Sequence, residues 1–591
     1  MNPSTANNRL IVANCSGFFG DRFSAAREMV EGGPVDVLTG DYLAELTMAI
    51  LLKDKFKDPD RGYAKTFLSQ MEEIMGQCMD RKIRVVSNAG GLNPGALTRK
   101  LQETANQLGL YPKIACITGD DLMGRLEELQ GLGEDFIHMD KGVGLKEAGA
   151  VPITANAYLG GWGIAAALEK GADIVICGRV ADAALTAGPA AWHFKWEKND
   201  WDSLAGAYAA GHIIECGAQA TGGNYSFIQE VPSFKKVGFP IAEIEPDGSF
   251  VITKHPDTGG LVSEGTVTAQ VLYEISSPAY LTPDVVVRFD TLELEQEGPD
   301  RVRGTGVRGE PPPETTKVCI NTLGGHRNSM TIVLTGLDIE KKAEIVENTL
   351  FENIGGRDQF EVAEVSLIRS EKPDPPTNEE AFAYLRFTVI DQDAKKVARL
   401  SSGLVELALS NIPGFTATAP PSKGTQAVVH WPSLVHGRHI RQTVSLPDEE
   451  ITVESLTDTE GKIEITPPAF DLPDAPKGPV VRAPLGRAFA ARSGDKGGNA
   501  NLGVWAKTPE GYAFLNKFLT KEKLKQLLPD CAPYAIDRYE LPNLLALNFD
   551  IHGILGDGVA ASTRPDPQAK TLGEYLRARV VEMPGIIMEK E

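Results

Sequence analysis

The sequence predicts an α/β protein: a doubly wound, mostly parallel sheet in the N-terminal region, then a mixed β region with a ferredoxin-like β-α-β-β-α-β unit, then a small C-terminal α+β domain. Three observations lead there. Through the first 190 residues, short β-rich runs ending in Gly, Asn or Asp alternate with longer helical stretches. Several of those runs are apolar without alternation, as strands covered on both faces must be. Five prolines within residues 466–483 then separate the last hundred residues from the rest.

Taken in order, the runs LIVAN (10–14), VDVLTGD (35–41), IRVVSNAGG (83–91), KIACITGDD (113–121), PITAN (152–156) and ADIVICGR (172–179) are the expected strands of the parallel sheet. Between about 225 and 325, runs such as GSFVITKH and DVVVRFDTLEL, broken by Pro and Gly, predict antiparallel strands. MTIVLTG, DIEKKAEIVENTLFENI, FEVAEVSLIR, AYLRFTVID, DAKKVARLSSGLVELALSN and AVVHWPSLV follow in split βαβ order. The expected domains are a core over 1–465, divided into a parallel α/β region (residues 1–225) and a mixed α+β region (residues 226–465), then a semi-rigid linker 466–483 and a C-terminal domain 484–591. The last of these reads as strand, Gly-rich loop, strand, one helix (GYAFLNKFLTKEKLKQLL), strand and helix.

The chain has 591 residues and a net charge of -21, a field that opposes binding to nucleic acid or an anionic membrane. The start, MNPSTANNRLIVAN, lacks a signal-peptide pattern, and no window approaches the 18 or so apolar residues of a membrane span, so a cytoplasmic protein is expected. Seven scattered cysteines without a C-x-x-C pair predict reduced thiols.

Candidate chemistry gathers at the strand ends, where a parallel sheet places its ligand crevice. NCSGFFGDR offers Asn14, Ser16, Gly17 and Gly20 for substrate binding through a Gly-containing turn, with Asp21 as a base. The next ends offer Asp41, then Asn88 with Gly90 and Gly91 as donors, then Asp120 and Asp121; such carboxylates suit general acid/base work or a divalent cation, and each could equally cap a helix. Arg179, with Asp182 three residues on, is a forked cation with an orienting carboxylate or base. His212 and Glu215 would share a helix face, but a third ligand is missing, so no metal site is expected; Cys15 and Cys216 are alternative thiol nucleophiles. GGWGIAA lacks the strand and acidic residue of a dinucleotide site, and ARSGDKGGNAN lacks the P-loop pattern, so neither a nicotinamide nor ATP is expected. That second loop could still bind substrate through Arg492 and Lys496, as a mobile lid. His326 with Arg327 is a further cationic pair.

NCSGFFGDR, LTGDYLAE (38–45), SNAGGLNP (87–94), GRVADAALT (178–186), GHIIECGAQATGGN (211–224), TVTAQVLYEISSPAYLTPDV (266–285) and ARSGDKGGNAN, in this order over nearly the whole chain, resemble the acyclic terpene utilisation protein family, AtuA-like. That resemblance implies a place in the catabolism of branched or isoprenoid acids as CoA thioesters, and carries over no catalytic residues. The expected function is therefore a hydratase-type or carbon-carbon lyase, favoured over a hydrolase, acting on an acyl-CoA or related carboxylic acid. Asp21, Asp120 or Asp182 would be the base, Asn88 a donor, Arg179 the clamp and His212 a further catalytic group. No resident cofactor is expected beyond the CoA of the substrate; the partners expected are the small-molecule acid and further copies of the chain in a homo-oligomer, not nucleic acid or membrane. The alternative is a non-catalytic acyl-CoA-binding or assembly subunit.

Overall fold

A computed structural model describes residues 9–456 and 465–588. The stretch MNPSTANN, and residues 457–464 at the end of the mixed region, lie outside them. The chain is mixed α/β with several sheets, in two compact units. The first contains Met1–Asn321, His430–Val559 and Gln568–Glu591; the second contains Thr322–Val429 and Ala560–Pro567.

The first unit is built on an eleven-stranded sheet. Its centre comes from the predicted βα alternation: β1 (Leu10–Asn14), β2 (Val37–Gly40), β3 (Arg84–Ser87), β4 (Ile114–Thr118) and, after β5 (Pro152–Ala157), β6 (Ile174–Cys177). β1, β2, β3, β6 and β4 pair in that order, all parallel. Antiparallel strands extend both edges, so the sheet continues past residue 225. Pro240–Ile244, Phe250–Lys254, Arg301–Thr305 and Glu293–Gly298 follow beyond β1, and Arg441–Ser445 and Glu450–Glu454 beyond β4.

The unalternating apolar runs are explained by burial on both faces. Val12, Val37, Val86, Ala115 and Val175 enter one apolar cluster with the helices Trp162–Glu169, Ala184–Phe194 and Trp201–Ile214. Their neighbours Ala13, Leu38, Val85, Ile114 and Ile174 enter another with Ala25–Glu31, Lys65–Arg81 and Pro94–Gln107. Truncating such a buried Ile or Leu to Ala costs about 2–5 kcal/mol.

PITAN is a correction. β5 does not join the parallel sheet; it pairs with the strand Thr315–Thr335, the Tyr158 amide donating to the Lys317 carbonyl at 2.9 Å. It still meets the strand ends, because the Ala157 amide donates to the Asp120 carbonyl.

In the C-terminal stretch a four-stranded antiparallel sheet has the order Phe489–Lys496, Asn499–Ala506, Ala546–Ile551, Ile536–Leu541. The single helix expected there is two, Pro509–Phe518 and Lys521–Leu527, because the Thr520 hydroxyl accepts from the Lys523 amide and starts a new helix. ARSGDKGGNAN is likewise not a lid loop. Arg492 to Lys496 are ladder residues of a hairpin that turns at Gly497 and Gly498, Lys496 lying opposite Asn499.

In the second unit, taken by itself, strand 382–391 pairs with 326–335 on one side and Val362–Ile368 on the other, with the helices Ile339–Ile354 and Ala394–Glu406 flanking them in sequence. His326 and Arg327 belong to this unit.

Candidate active site

The first unit gathers charged side chains beyond the carboxyl ends of β2, β3 and β6. The Arg179 guanidinium lies 3.1 Å from the Asp182 carboxylate and stacks over the Tyr158 ring at 4.3 Å, with the Lys317 ammonium 5.0 Å from the same ring. Asp41, at the end of β2, accepts from the Asn88 amide at 2.5 Å. Burial, then the Asp182 charge, pushes the Asp41 carboxyl well above the usual range, against the pull of Arg179. Burial, then Asp182 and Glu274, does the same to Glu215, against Lys496 and Arg179.

Glu215 Oε1 lies 3.3 Å from His212 Nδ1. The distance invites an ion pair, but burial and then the Lys496 charge push His212 down to about 4, and burial moves Glu215 up, so both shifts favour the neutral form of the pair. The neutral pair has a consistent proton arrangement. His212 Nε2 faces the Val271 carbonyl at 3.4 Å and carries the hydrogen, and a protonated Glu215 can donate to Nδ1. The His212 ring is walled by Tyr280 and Phe289, at 5.0 and 5.3 Å between centroids.

The C-terminal hairpin and the turn before the helix Leu572–Ala578 supply further cations. Lys496 approaches the Tyr280 ring at 5.9 Å; Arg492 lies over Tyr273 at 4.3 Å and binds Gln219; Lys570 stands 4.6 Å from the Tyr273 ring and 4.0 Å from Glu274. Asn501 holds the segment by accepting from the Glu274 amide at 2.8 Å.

Of the residues named from sequence, the fold thus brings together Asn88, Arg179, Asp182, His212 and Lys496, with Arg492 alongside on Tyr273 and Gln219. The others do structural work. Asn14 donates to the Ile214 and Glu215 carbonyls at 2.6 and 2.9 Å, fixing the segment that carries the His212–Glu215 pair. Asp21 accepts from the Gly17 and Arg22 amides, so the Gly17 amide is spent within its own turn; the Ser16 hydroxyl donates to the Phe18 carbonyl. Gly17 is required because a Cβ there would lie 2.6 Å from the Cys216 carbonyl carbon. Gly20 is an exposed turn residue. A Cβ on Gly90 would lie 2.4 Å from the Cys177 carbonyl oxygen, and Gly91 has a φ of 52°. Asp120 accepts from the Arg179 amide at 2.9 Å and from Asn156 at 2.8 Å; burial pushes it up to about 6 against those bonds. It holds the backbone that presents Arg179.

Glu215 was legible from sequence only as the partner of His212. Tyr158, Tyr273, Glu274, Tyr280, Lys317 and Lys570 were missed, because no local pattern marks a residue whose role depends on contacts far along the chain. Burial pushes Cys15 up to about 12 and Cys216 well above its ordinary value, so both thiols stay protonated at neutral pH. Among the described residues, no group of three His, Cys, Asp or Glu is disposed to hold a metal ion.

Residues 10–446 match the family described as acyclic terpene utilisation family protein AtuA. Residues 483–582 match the AtuA ferredoxin-like domain, while the β-α-β-β-α-β order expected in the mixed region is present as strand Thr315–Thr335, helix Ile339–Ile354, strands Val362–Ile368 and Phe382–Asp391, helix Ala394–Glu406 and strand Thr425–His436. No curated protein matches the chain. Together the two matches span nearly the whole chain, which belongs to the acyclic terpene utilisation family AtuA.

Proposed function

We propose that the protein is an enzyme of branched-chain or isoprenoid acyl-CoA catabolism, working by hydration/dehydration or carbon-carbon lyase chemistry. The observation that carries this reading is the buried Arg179 guanidinium 3.1 Å from Asp182, with the buried carboxyls of Asp41 and Glu215 both pushed above their ordinary range by burial and by the charge of Asp182. Such a set supplies both halves of acid/base catalysis. Glu215 holds a proton it can give to a leaving oxygen or an enolate carbon, Asp182 is the more exposed carboxylate that takes one, and Arg179 steadies the developing oxyanion. On this reading the sheet is doubly wound and the substrate enters beyond its parallel strand ends.

The cations around the three tyrosines, Lys317, Lys496, Arg492 and Lys570, offset the net charge of -21 and favour an anionic substrate, with CoA arriving as part of it. The protein would act in the cytoplasm, as a homo-oligomer, without a resident cofactor; a divalent cation on the strand-end carboxylates would be an addition to this scheme.

The test is turnover. Purified protein is incubated with geranyl-CoA and short branched acyl-CoAs and the products are followed by mass spectrometry. Wild type should convert at least one thioester, and Glu215→Gln should lose about 100-fold or more in rate while still binding it. No conversion by the protein alone, with a changed rate in a partner enzyme, would establish the non-catalytic subunit in place of this reading.

A further inference from the structure

The first unit has an open surface cleft of about 570 Å³ that shares no lining residue with the strand-end cluster and is lined by one face of the helix Trp162–Glu169, the end of the helix Ala184–Phe194 with the turn after it, and the edge strand Glu450–Glu454. A volume of this size is typical of small-molecule sites. Its construction is specific. Trp162, Trp192 and Trp196, three of the chain's six tryptophans, form the walls, and Ala165, Ala166 and Ala191 leave the floor open. The walls are held in place: Trp196 stacks on Phe194 at 5.3 Å between centroids, and its indole N–H donates to the Pro246 carbonyl at 2.9 Å.

The lining charges balance, Lys195 and Lys198 against Glu169 and Glu454, and Arg441 outside the lining takes up Glu454. Glu169 is paired with Lys195, and Glu454 with Arg441 at 3.1 Å. Lys198, whose ammonium stands 5.9 Å from the Trp162 ring, has no carboxylate among the lining residues left to pair with. An indole-walled cleft with one such cation complements an apolar body bearing a single negative charge; a polyphosphate such as CoA would meet two lysines already offset by Glu169 and Glu454.

We propose that this cleft binds a monoanionic apolar ligand, a carboxylate on a long hydrocarbon body, with the chain against the three indoles and the carboxylate at Lys198. The site is separate from the acid/base cluster and does not depend on the reaction assigned there.

Half of the tryptophans line the cleft, so intrinsic fluorescence reports its occupancy directly. Decanoate should quench or shift the emission saturably in wild type, decan-1-ol should bind more weakly, and CoA should give no saturable change. Lys198→Met, an exposed change, should weaken decanoate about fivefold; Ala166→Trp, which fills the floor from a helix, should abolish saturable binding. If Ala166→Trp proves misfolded by circular dichroism, Lys198→Met decides alone. Absence of a saturable decanoate response, equal affinity for decan-1-ol, or a response unchanged in the variants would overturn the proposal. A change of oligomeric state in the variants, read by light scattering, with no decanoate binding in wild type, would also overturn it and assign the cleft to a second copy of the chain.

Discussion

Arg179 and Asp182 meet at 3.1 Å across one turn of chain, the guanidinium side chain 3% exposed and the carboxylate 24%. The cation is enclosed and its partner faces outward, which is the disposition of a clamp whose counter-charge a ligand can reach. Asp182→Asn leaves the buried guanidinium without that carboxylate and should cost about 2–4 kcal/mol in urea unfolding at pH 7. The same change removes the second-largest influence on both Asp41 and Glu215. Any pH profile of activity should therefore shift toward acid in this variant, and an unchanged profile would separate Asp182 from those two groups.

Asp120 gives a pH signature in stability. Its native value of about 6 lies above the ordinary 3.8, so between those values the folded state holds a proton that the unfolded chain has lost. This contribution to stability therefore falls as pH rises from about 4 to 6, by about 3 kcal/mol in total. Asp120→Asn keeps an oxygen acceptor for the Arg179 amide and removes the titration. Urea midpoints at pH 4.5, 5.5 and 7 should show wild type losing stability relative to this variant as pH rises; parallel curves would count against a protonated Asp120.

His212 acts in the opposite sense. Its native value of about 4 lies below the ordinary 6.5, so its contribution is fully present above pH 6.5 and is lost as pH falls toward 4. At pH 5.5 an exposed histidine is mostly protonated, whereas His212 should show the nitrogen shifts of a neutral imidazole in NMR. Lys496→Met, by removing a repelling cation, should raise that titration point; a charged His212 at pH 5.5 in wild type would replace the neutral pair by an ion pair with Glu215.

Gly17→Ala tests the packing of the first turn against the segment that carries Glu215. The added methyl would sit 2.6 Å from backbone of Cys216. A loss of about 1–3 kcal/mol is expected in thermal or urea unfolding. Gly20→Ala, on the exposed side of the same turn, should change stability far less.

Of the linker expected over 466–483, residues 480–483 are a correction, because Val480–Pro484 is a strand paired with Val580–Pro584; residues 466–478 contain neither helix nor strand and are mostly exposed, with Lys477 accessible. We propose that they form a semi-rigid connecting segment that makes few contacts, and that limited trypsin digestion cuts after Lys477 first. First cleavage within 83–180 would contradict this.

The sequence by itself determined the strands and helices of the parallel region, because unalternating apolar runs and Gly- or Asn-terminated strand ends are local consequences of two-faced burial and βα turns. It also placed Asn14, Asp21, Asn88, Asp120, Arg179 and Asp182 at one edge as an expectation, since parallel strands deliver their ends to the same side. Tertiary structure decided what local pattern does not encode. β5 left the sheet for a strand about 160 residues on, and the Gly-rich C-terminal loop became a hairpin because its ladder closes without a long turn. Asp21 became a backbone acceptor within its own turn, Asp120 a backbone acceptor raised by burial, and Asp41 and Glu215 the acids raised by burial and then by the Asp182 charge. All four are carboxylates at strand or helix ends and look alike in sequence. What separates them is whether burial leaves them facing peptide N–H groups or one another, and that depends on side chains brought in from as far as Lys496, through space.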